Sequence, residues 1–332
     1  MTAKTPLDRA EAWVARIFEG GGATPDNARS VARALVGAEA DGLKGHGLSR
    51  VPTYLAMLKA GKIDGQATPV ATRPRPGVLA IDAADGFAYP AIDLAIAELP
   101  AVAAAQGIAA APVTRSNHCG AAGLHVERLA ETGLVALLFA NTPEAIAPWG
   151  GRKAVFGTNP IAFAAPLAGR APVVVDLALS KVARGNIVAA KQKGEAIPQG
   201  WALDPDGKPT TDAGAALAGT MIAMGDAKGA ALAFMVEVLA AALVGSHFAF
   251  EASSFLDDKG GPPRTGQLIL AIDPAAFASG AGFTERMTTL AAAIEGQDGA
   301  RLSGARRLAL REAARRDGIA LPGDLVEKHG AA

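Results

Sequence analysis

Hydrophobic and polar positions begin the chain with helical spacing, turn to short strands alternating with helices, and end helical again. Thr24-Pro25-Asp26 supplies a threonine cap, a proline at the first helical position and an acid facing the helix dipole. Val31, Leu35 and Ala38 then recur at close to helical spacing within 28–40, and Gly42 stops the run. A second helix is predicted over 51–60, ended by Gly61. The stretch 68–76 is rich in proline and arginine and reads as a boundary between segments.

From Val78 the pattern predicts strands at 78–82, 108–114, 134–140, 173–176 and 267–272. Helices are predicted at 88–106, stopped by Gly107, and at 121–132. The apolar run 229–245 is interrupted by Glu237 and falls short of the ~20 residues of a membrane span, so it reads as a buried core helix. The end returns to helix at 283–295 and 305–317. This alternation predicts an α/β fold. The helical start and end are expected to pack together, residues 1–75 with 300–332, around a sheet domain of residues 76–299.

Composition narrows the function classes. The 332 residues are 50% hydrophobic and 19% charged, enough for a sizeable core and too apolar for disorder. Thirty-two basic residues balance thirty-two acidic ones, so no basic excess marks the chain for nucleic acid. The single cysteine, Cys119, cannot form an intramolecular disulfide, which suits a reducing compartment. The N-terminus, Met1 to Pro6, runs into an amphipathic stretch with no signal-peptide core. A soluble, cytoplasmic protein with no membrane partner is expected.

The sequence lacks the P-loop, the nucleophile elbow, the zinc-protease helix and the G-x-G-x-x-G dinucleotide fingerprint. Its five histidines are therefore informative. His125, His247 and His329 read as surface or structural. His46 and His118 lie in glycine-rich polar loops, where catalytic groups concentrate. In Lys44-Gly45-His46-Gly47-Leu48-Ser49-Arg50, a helix opening at Gly47 sets His46 and Arg50 one turn apart. An imidazole that exchanges protons near neutrality then stands beside a guanidinium that grips a carboxylate. An arginine capping a helix beside a solvated histidine is the other reading. Arg115 to Gly123, between a strand and a helix, exposes main-chain N–H groups suited to a pyrophosphate. His118 with Cys119 has no second pair at metal-ligand spacing, so no metal is expected. Asp176 ends an apolar strand as a helix cap or as a ligand to a ribose or a histidine, and Lys228 begins the apolar helix, where it meets a phosphate or water.

At these loops the chain resembles the type 2 malate/L-lactate dehydrogenase family. The stretches that carry the resemblance are DGLKGHGLSRVPTYLAMLKAGKIDG from Asp41, SNHCGAAG from Ser116, NTPEAIAPWGG from Asn141 and FGTNPIAFAAP from Phe156. VVVDLALSKVARG from Val173, IPQGWALDPDGKPTTD from Ile197 and DAKGAALAFMVEVLAAALVG from Asp226 complete them, in order along nearly the whole chain. The resemblance implies an NAD(P)-dependent oxidoreductase, with NADPH the favoured cofactor. It implies a mixed, largely antiparallel, non-Rossmann sheet domain, a helical domain of the two termini, and a homodimer. The substrate class would be a small 2-oxo or 2-hydroxy acid, malate-, lactate- or sulfolactate-like, or else a cyclic α-imino acid such as Δ1-pyrroline- or Δ1-piperideine-2-carboxylate.

Residue by residue, the family's proton-transferring histidine falls on His46 and its carboxylate-binding arginine on Arg50. Thr158 and His118 fall on the substrate side. Cofactor contacts fall on His118, Cys119, Gly120, Ala121 and Ala122, on Asp176, Leu177 and Ala178, on Lys228 and Gly229, and on Gly304, Ala305 and Arg306. Two departures stand out. Gly45 replaces the usual serine before the histidine, leaving Ser49 or a water to orient the imidazole. Ser303-Gly304-Ala305-Arg306 replaces P-G-E-R, without its acid. An inactive dimeric binding protein, and a metal-dependent hydrolase using His46, His118 and Asp176, are the rival classes.

Overall fold

The computed structural model describes residues 4–277 and 282–332. Met1, Thr2 and Ala3 of the segment expected to carry no leader lie outside them. The chain opens with β1 (Lys4–Thr5), α1 (Leu7–Gly20), α2 (Pro25–Ala40) and α3 (Val51–Lys59). The Thr24 hydroxyl accepts from the Asn27 N–H at 3.2 Å, as the cap signal requires. Next come β2 (Val70–Arg75), β3 (Val78–Asp82), α4 (Ala88–Gln106), β4 (Ile108–Ser116), α5 (Ala122–Glu131), β5 (Val135–Ala140), β6 (Ile161–Leu167) and β7 (Arg170–Leu177).

A more irregular region holds α6 (Arg184–Lys193), β8 (Ala202–Leu203), β9 (Pro209–Thr210), α7 (Ala213–Ala218) and β10 (Thr220–Met221). Then follow α8 (Ala227–Glu237), β11 (Thr265–Ile272), α9 (Phe283–Glu295), α10 (Ala305–Asp317), β12 (Ile319–Ala320) and α11 (Gly323–His329).

Seven strands form the main sheet in the order β2-β3-β4-β11-β5-β6-β7. Only β3 and β4 run parallel; every other neighbouring pair is antiparallel, so the sheet is mixed and largely antiparallel. Its central strand, β11, is buried on both faces and alternates between two cores. Ile269 and Ala271 join α4 and α5 on one side, while Leu268 joins α8 and the small β8–β10 sheet on the other. Helix α4 is the one helix among the described residues long and apolar enough by composition to cross a membrane, and half of that window is buried. Its buried positions pack in the core against the sheet.

The chain ends meet. β1 pairs with β12, and Trp13, Phe18, Leu35 and Tyr54 share one apolar cluster with Ala314, Ile319 and Leu325.

Three expectations change. The boundary expected at 68–76 is edge strand β2, where Pro74 and two arginines are tolerated because nearly every residue faces solvent. The predicted 229–245 core helix begins at Ala227 and passes at Val238–Ala242 into a π-turn. It is buried on one face only: Leu232, Phe234, Met235, Val238 and Leu243 are exposed. Its interior acid, Glu237, is buried and accepts from Asn159 Nδ2 at 2.7 Å and from the Ala249 N–H at 2.6 Å.

Candidate active site

The loop after α2 makes two separate 3₁₀ turns, Lys44–His46 and Leu48–Arg50, before α3 begins. The expected single helix from Gly47 is thus absent, yet His46 and Arg50 still meet, because Arg50 folds back and its Nε donates to the Gly45 carbonyl at 2.7 Å. Gly47 leaves room for the Glu39 carboxylate, which a Cβ would displace and which accepts from the Leu48 N–H at 3.1 Å. Ser49 does not replace the family's serine, since its hydroxyl donates to the Lys44 carbonyl at 2.6 Å. The Nδ1 of His46 is buried and has no partner among the described residues. Burial, with the Arg50 charge adding to it, lowers the His46 pKa to about 4.

His118 sits on the loop between β4 and α5, its main-chain N–H bonded to Asn117 Oδ1 at 2.8 Å. Its ring stacks on His46 with centroids 5.3 Å apart. Its Nδ1 lies 2.6 Å from Tyr54 Oη, which lies 3.0 Å from Tyr89 Oη. The chain's two tyrosines therefore form a hydrogen-bonded line behind His118, Tyr89 to Tyr54 to the imidazole. Sequence reasoning missed both, since a tyrosine inside a predicted helix reads as core. Phe255 packs on His118 at 5.2 Å. Burial first, then Arg50 and His46, hold His118 well below the usual imidazole range. Both rings are neutral at pH 7.

Beyond His118, the main-chain N–H groups of Cys119, Gly120, Ala121 and Ala122 donate to no acceptor among the described residues, although all four residues are buried. Burial pushes the Cys119 thiol up to about 12, which holds it protonated. The Cys119 carbonyl takes a hydrogen bond from His125 Nε2 at 2.8 Å, a structural role for His125. Asp176, at the end of β7, accepts from the Gly123 N–H at 2.8 Å. Its side chain reaches solvent from a crevice whose protein walls raise its pKa, partly offset by that N–H.

Gly304, at φ 86°, lies against Val174 so closely that a Cβ would come 3.2 Å from the Val174 carbonyl. The Gly304-Ala305-Arg306 turn therefore joins Asp176 and the Cys119–Ala122 loop. Leu177 and Ala178 continue the crevice. Leu179 donates to the Thr158 carbonyl at 2.7 Å and accepts from the Met224 N–H at 2.8 Å, which brings the start of α8, with Lys228 and Gly229, to the same side. Lys228 and Arg306 are exposed and form no ion pair among the described residues. Thr158 Oγ1 lies 3.2 Å from Thr142 Oγ1; its hydrogen bonds run to Thr142 and Leu179, not to His46, Arg50 or His118.

A buried ion network, also missed in the sequence, ties the pieces together. Asp41 accepts from Arg311 Nε at 2.6 Å and Arg307 Nη1 at 2.8 Å, and Glu127 accepts from Arg307 Nη2 at 2.9 Å and Arg311 Nη2 at 2.7 Å. These four residues link the end of α2, the helix α5 behind the open N–H groups, and α10. Among the described residues no three His, Cys, Asp or Glu side chains are grouped to hold a metal ion.

The family described as malate/L-lactate dehydrogenase matches residues 5–328. The chain is 48% identical over 330 residues to a (2R)-3-sulfolactate dehydrogenase (NADP(+)) of Chromohalobacter salexigens, covering 99% of this chain and 97% of that protein. It is 41% identical over 323 residues to a Δ(1)-pyrroline-2-carboxylate/Δ(1)-piperideine-2-carboxylate reductase of Pseudomonas putida, covering 96% and 93%. The crystal structure of Δ1-piperideine-2-carboxylate reductase from Pseudomonas syringae superposes with a TM-score of 0.94 at 37% identity, covering 99% of each chain. This chain belongs to the malate/L-lactate dehydrogenase family.

Proposed function

We propose that the chain is an NAD(P)-dependent oxidoreductase of small carboxylic acids, acting at the α-carbon of a 2-oxo or 2-hydroxy acid of the malate, lactate or sulfolactate kind. The observation that carries this reading is the side-by-side placement of His46 and Arg50, next to the unpaired N–H groups of Cys119–Ala122.

The residues present fit a nicotinamide dinucleotide. Buried N–H donors at the start of α5 suit a pyrophosphate, and Asp176 in its crevice suits a ribose hydroxyl. Lys228, Ala305 and Arg306 edge the same crevice, and NADPH is the favoured form. The largely antiparallel strand order supports a cofactor fold distinct from the parallel Rossmann sheet. Residues 1–75 with 300–332 form the helical part of this reading, around 76–299. When bound, the nicotinamide supplies or accepts the hydride.

The chain supplies the rest. Arg50, with its Nε on Gly45, turns the remaining guanidinium N–H groups toward a substrate carboxylate and so fixes the α-carbon. Pairing with that carboxylate offsets the Arg50 charge and raises the His46 pKa, so that His46 can give a proton to the developing alkoxide. His118, held from behind by Tyr54, borders the same space, and Thr158 lines the substrate side.

A cyclic α-imino acid is the second reading, and the neutrality of His46 favours it. A protonated imine brings its own positive charge and needs no proton donor at the moment of reduction.

We further propose a homodimer that covers the exposed apolar face of α8 and its π-turn, where Phe234 is 57% and Leu243 65% exposed. Sedimentation of Leu243→Glu against the wild type tests it: a wild type that sediments as a monomer would remove the proposal.

The functional test follows NADPH and NADH absorbance with a panel of 2-oxo, sulfonated 2-oxo and cyclic imino acids, with and without chelator. Chelator-insensitive turnover of at least one class is expected. Silence across the panel overturns the reading, and chelator-sensitive hydrolysis without nucleotide points to the hydrolase.

A further inference from the structure

Lys62, just beyond α3, has no exposed surface at all. An ammonium carries three donors, and here each finds a main-chain carbonyl: Ser254 at 2.6 Å, Asp257 at 3.1 Å and Lys259 at 2.7 Å. The Asp257 carboxylate lies 3.8 Å away.

The three carbonyls belong to one loop. Among the described residues, no main-chain hydrogen bond joins residues 253–262 to the rest of the chain. The loop's other polar contacts are internal: Ser253 Oγ to the Gly261 carbonyl, and the N–H groups of Leu256 and Lys259 to Ser254 and Asp257 side chains. Lys62 is thus its polar anchor. The loop's apolar anchor is Phe255, buried against the ring of His118. That ring is also touched by His46 and by Tyr54, which α3, the helix leading to Lys62, carries.

Resting on the function proposed above, we infer that Lys62 is a positioning residue: it holds the 254–259 loop down so that Phe255 fixes His118 against His46. A loop without main-chain hydrogen bonds to the rest of the chain lies over the substrate end of the site, and one buried ammonium ties it down. Deleting the ammonium removes the shared donor of three half-buried carbonyls, so nothing polar holds the loop down and it lifts, taking Phe255 with it.

The test uses Lys62→Met and Phe255→Leu in the full chain. In Lys62→Met, amides of residues 254–260 exchange hydrogen faster in the ligand-free protein, and kcat/KM falls about tenfold or more, as a misplaced site requires. NADPH affinity, read by fluorescence without substrate, stays within about threefold, because the open N–H groups of Cys119–Ala122 sit on the turn into α5 and not on this loop. Phe255→Leu reproduces the kinetic loss, and the double variant is no worse than Lys62→Met, the non-additivity of residues acting through one another.

In Lys62→Ala, n-propylammonium restores turnover and tetramethylammonium at equal ionic strength does not. Wild-type exchange at 254–260 in Lys62→Met overturns the inference. So does wild-type kcat/KM in Phe255→Leu, a result that stands even if no Lys62 variant folds. A wild type without turnover fails the functional proposal alone, since the exchange measurement needs no substrate.

Discussion

The imidazole of His46 lies nearly parallel to that of His118, with 5.3 Å between centroids and 24° between planes. Two adjacent cations there would repel each other and Arg50, and the site avoids this by keeping both rings neutral. The consequence for stability has a definite sign. The folded His46 pKa, about 4, lies below the ordinary 6.5, so between those values the unfolded chain binds a proton that the folded chain refuses. Stability is fully present above pH 6.5 and declines as pH falls toward 4. Urea midpoints from pH 8 to pH 4 should fall more steeply for wild type than for His46→Gln. Parallel curves would place the imidazole in water.

His46→Ala should lower kcat for a 2-oxo acid by roughly 10²–10⁴-fold, the usual share of general acid catalysis, with NADPH affinity unchanged. Substrate binding should also take up protons below pH 7, since a carboxylate at Arg50 raises the His46 pKa. Calorimetry of a non-reducible carboxylate in buffers of different ionisation enthalpy measures that uptake. Wild-type kcat in the variant would transfer the role to His118.

Arg50→Lys should raise KM at least about 30-fold, because an ammonium cannot bond Gly45 and still present a planar fork to a carboxylate. Initial rates over a substrate series suffice. Unchanged kcat/KM for every carboxylate would show that Arg50 does not bind it.

Asp41→Ala should destabilise the fold by about 3 kcal/mol, since it leaves two largely buried guanidinium groups facing the single carboxylate of Glu127. Chemical denaturation reads this directly. A loss under about 1 kcal/mol would mean that water reaches the network.

What the sequence showed and hid follows from the range of the forces involved. Helix α4 was legible to the residue, because its long apolar run has Gly107 as a stop. Strand β6, IAFAAPL, has no signal of its own in the sequence: its alanines and proline carry little strand preference, and it exists because β5 and β7 flank it. Strand β2 was hidden by its own edge position, which allows the arginines and proline that read as a boundary.

At the site, the glycine-flanked loops of His46 and His118 pointed to chemistry, and the family resemblance to Asp176 and Gly304. The partners of these groups were illegible. Arg307 reaches Asp41 across 266 positions and Lys62 reaches Ser254 across 192, and no local pattern encodes such pairs.

Strand β11 carries one more implication, for the order of events at the ribosome. It is the last strand of the main sheet to be made, yet it lies between β4 and β5, bonded to both. Until Thr265–Ile272 leave the exit tunnel, the nascent chain holds two half-sheets with facing open edges and two apolar cores without their shared wall. Such a protein must assemble after synthesis is nearly complete, slowly and through distant contacts, and fragments ending before Thr265 should depend on chaperones to stay in solution.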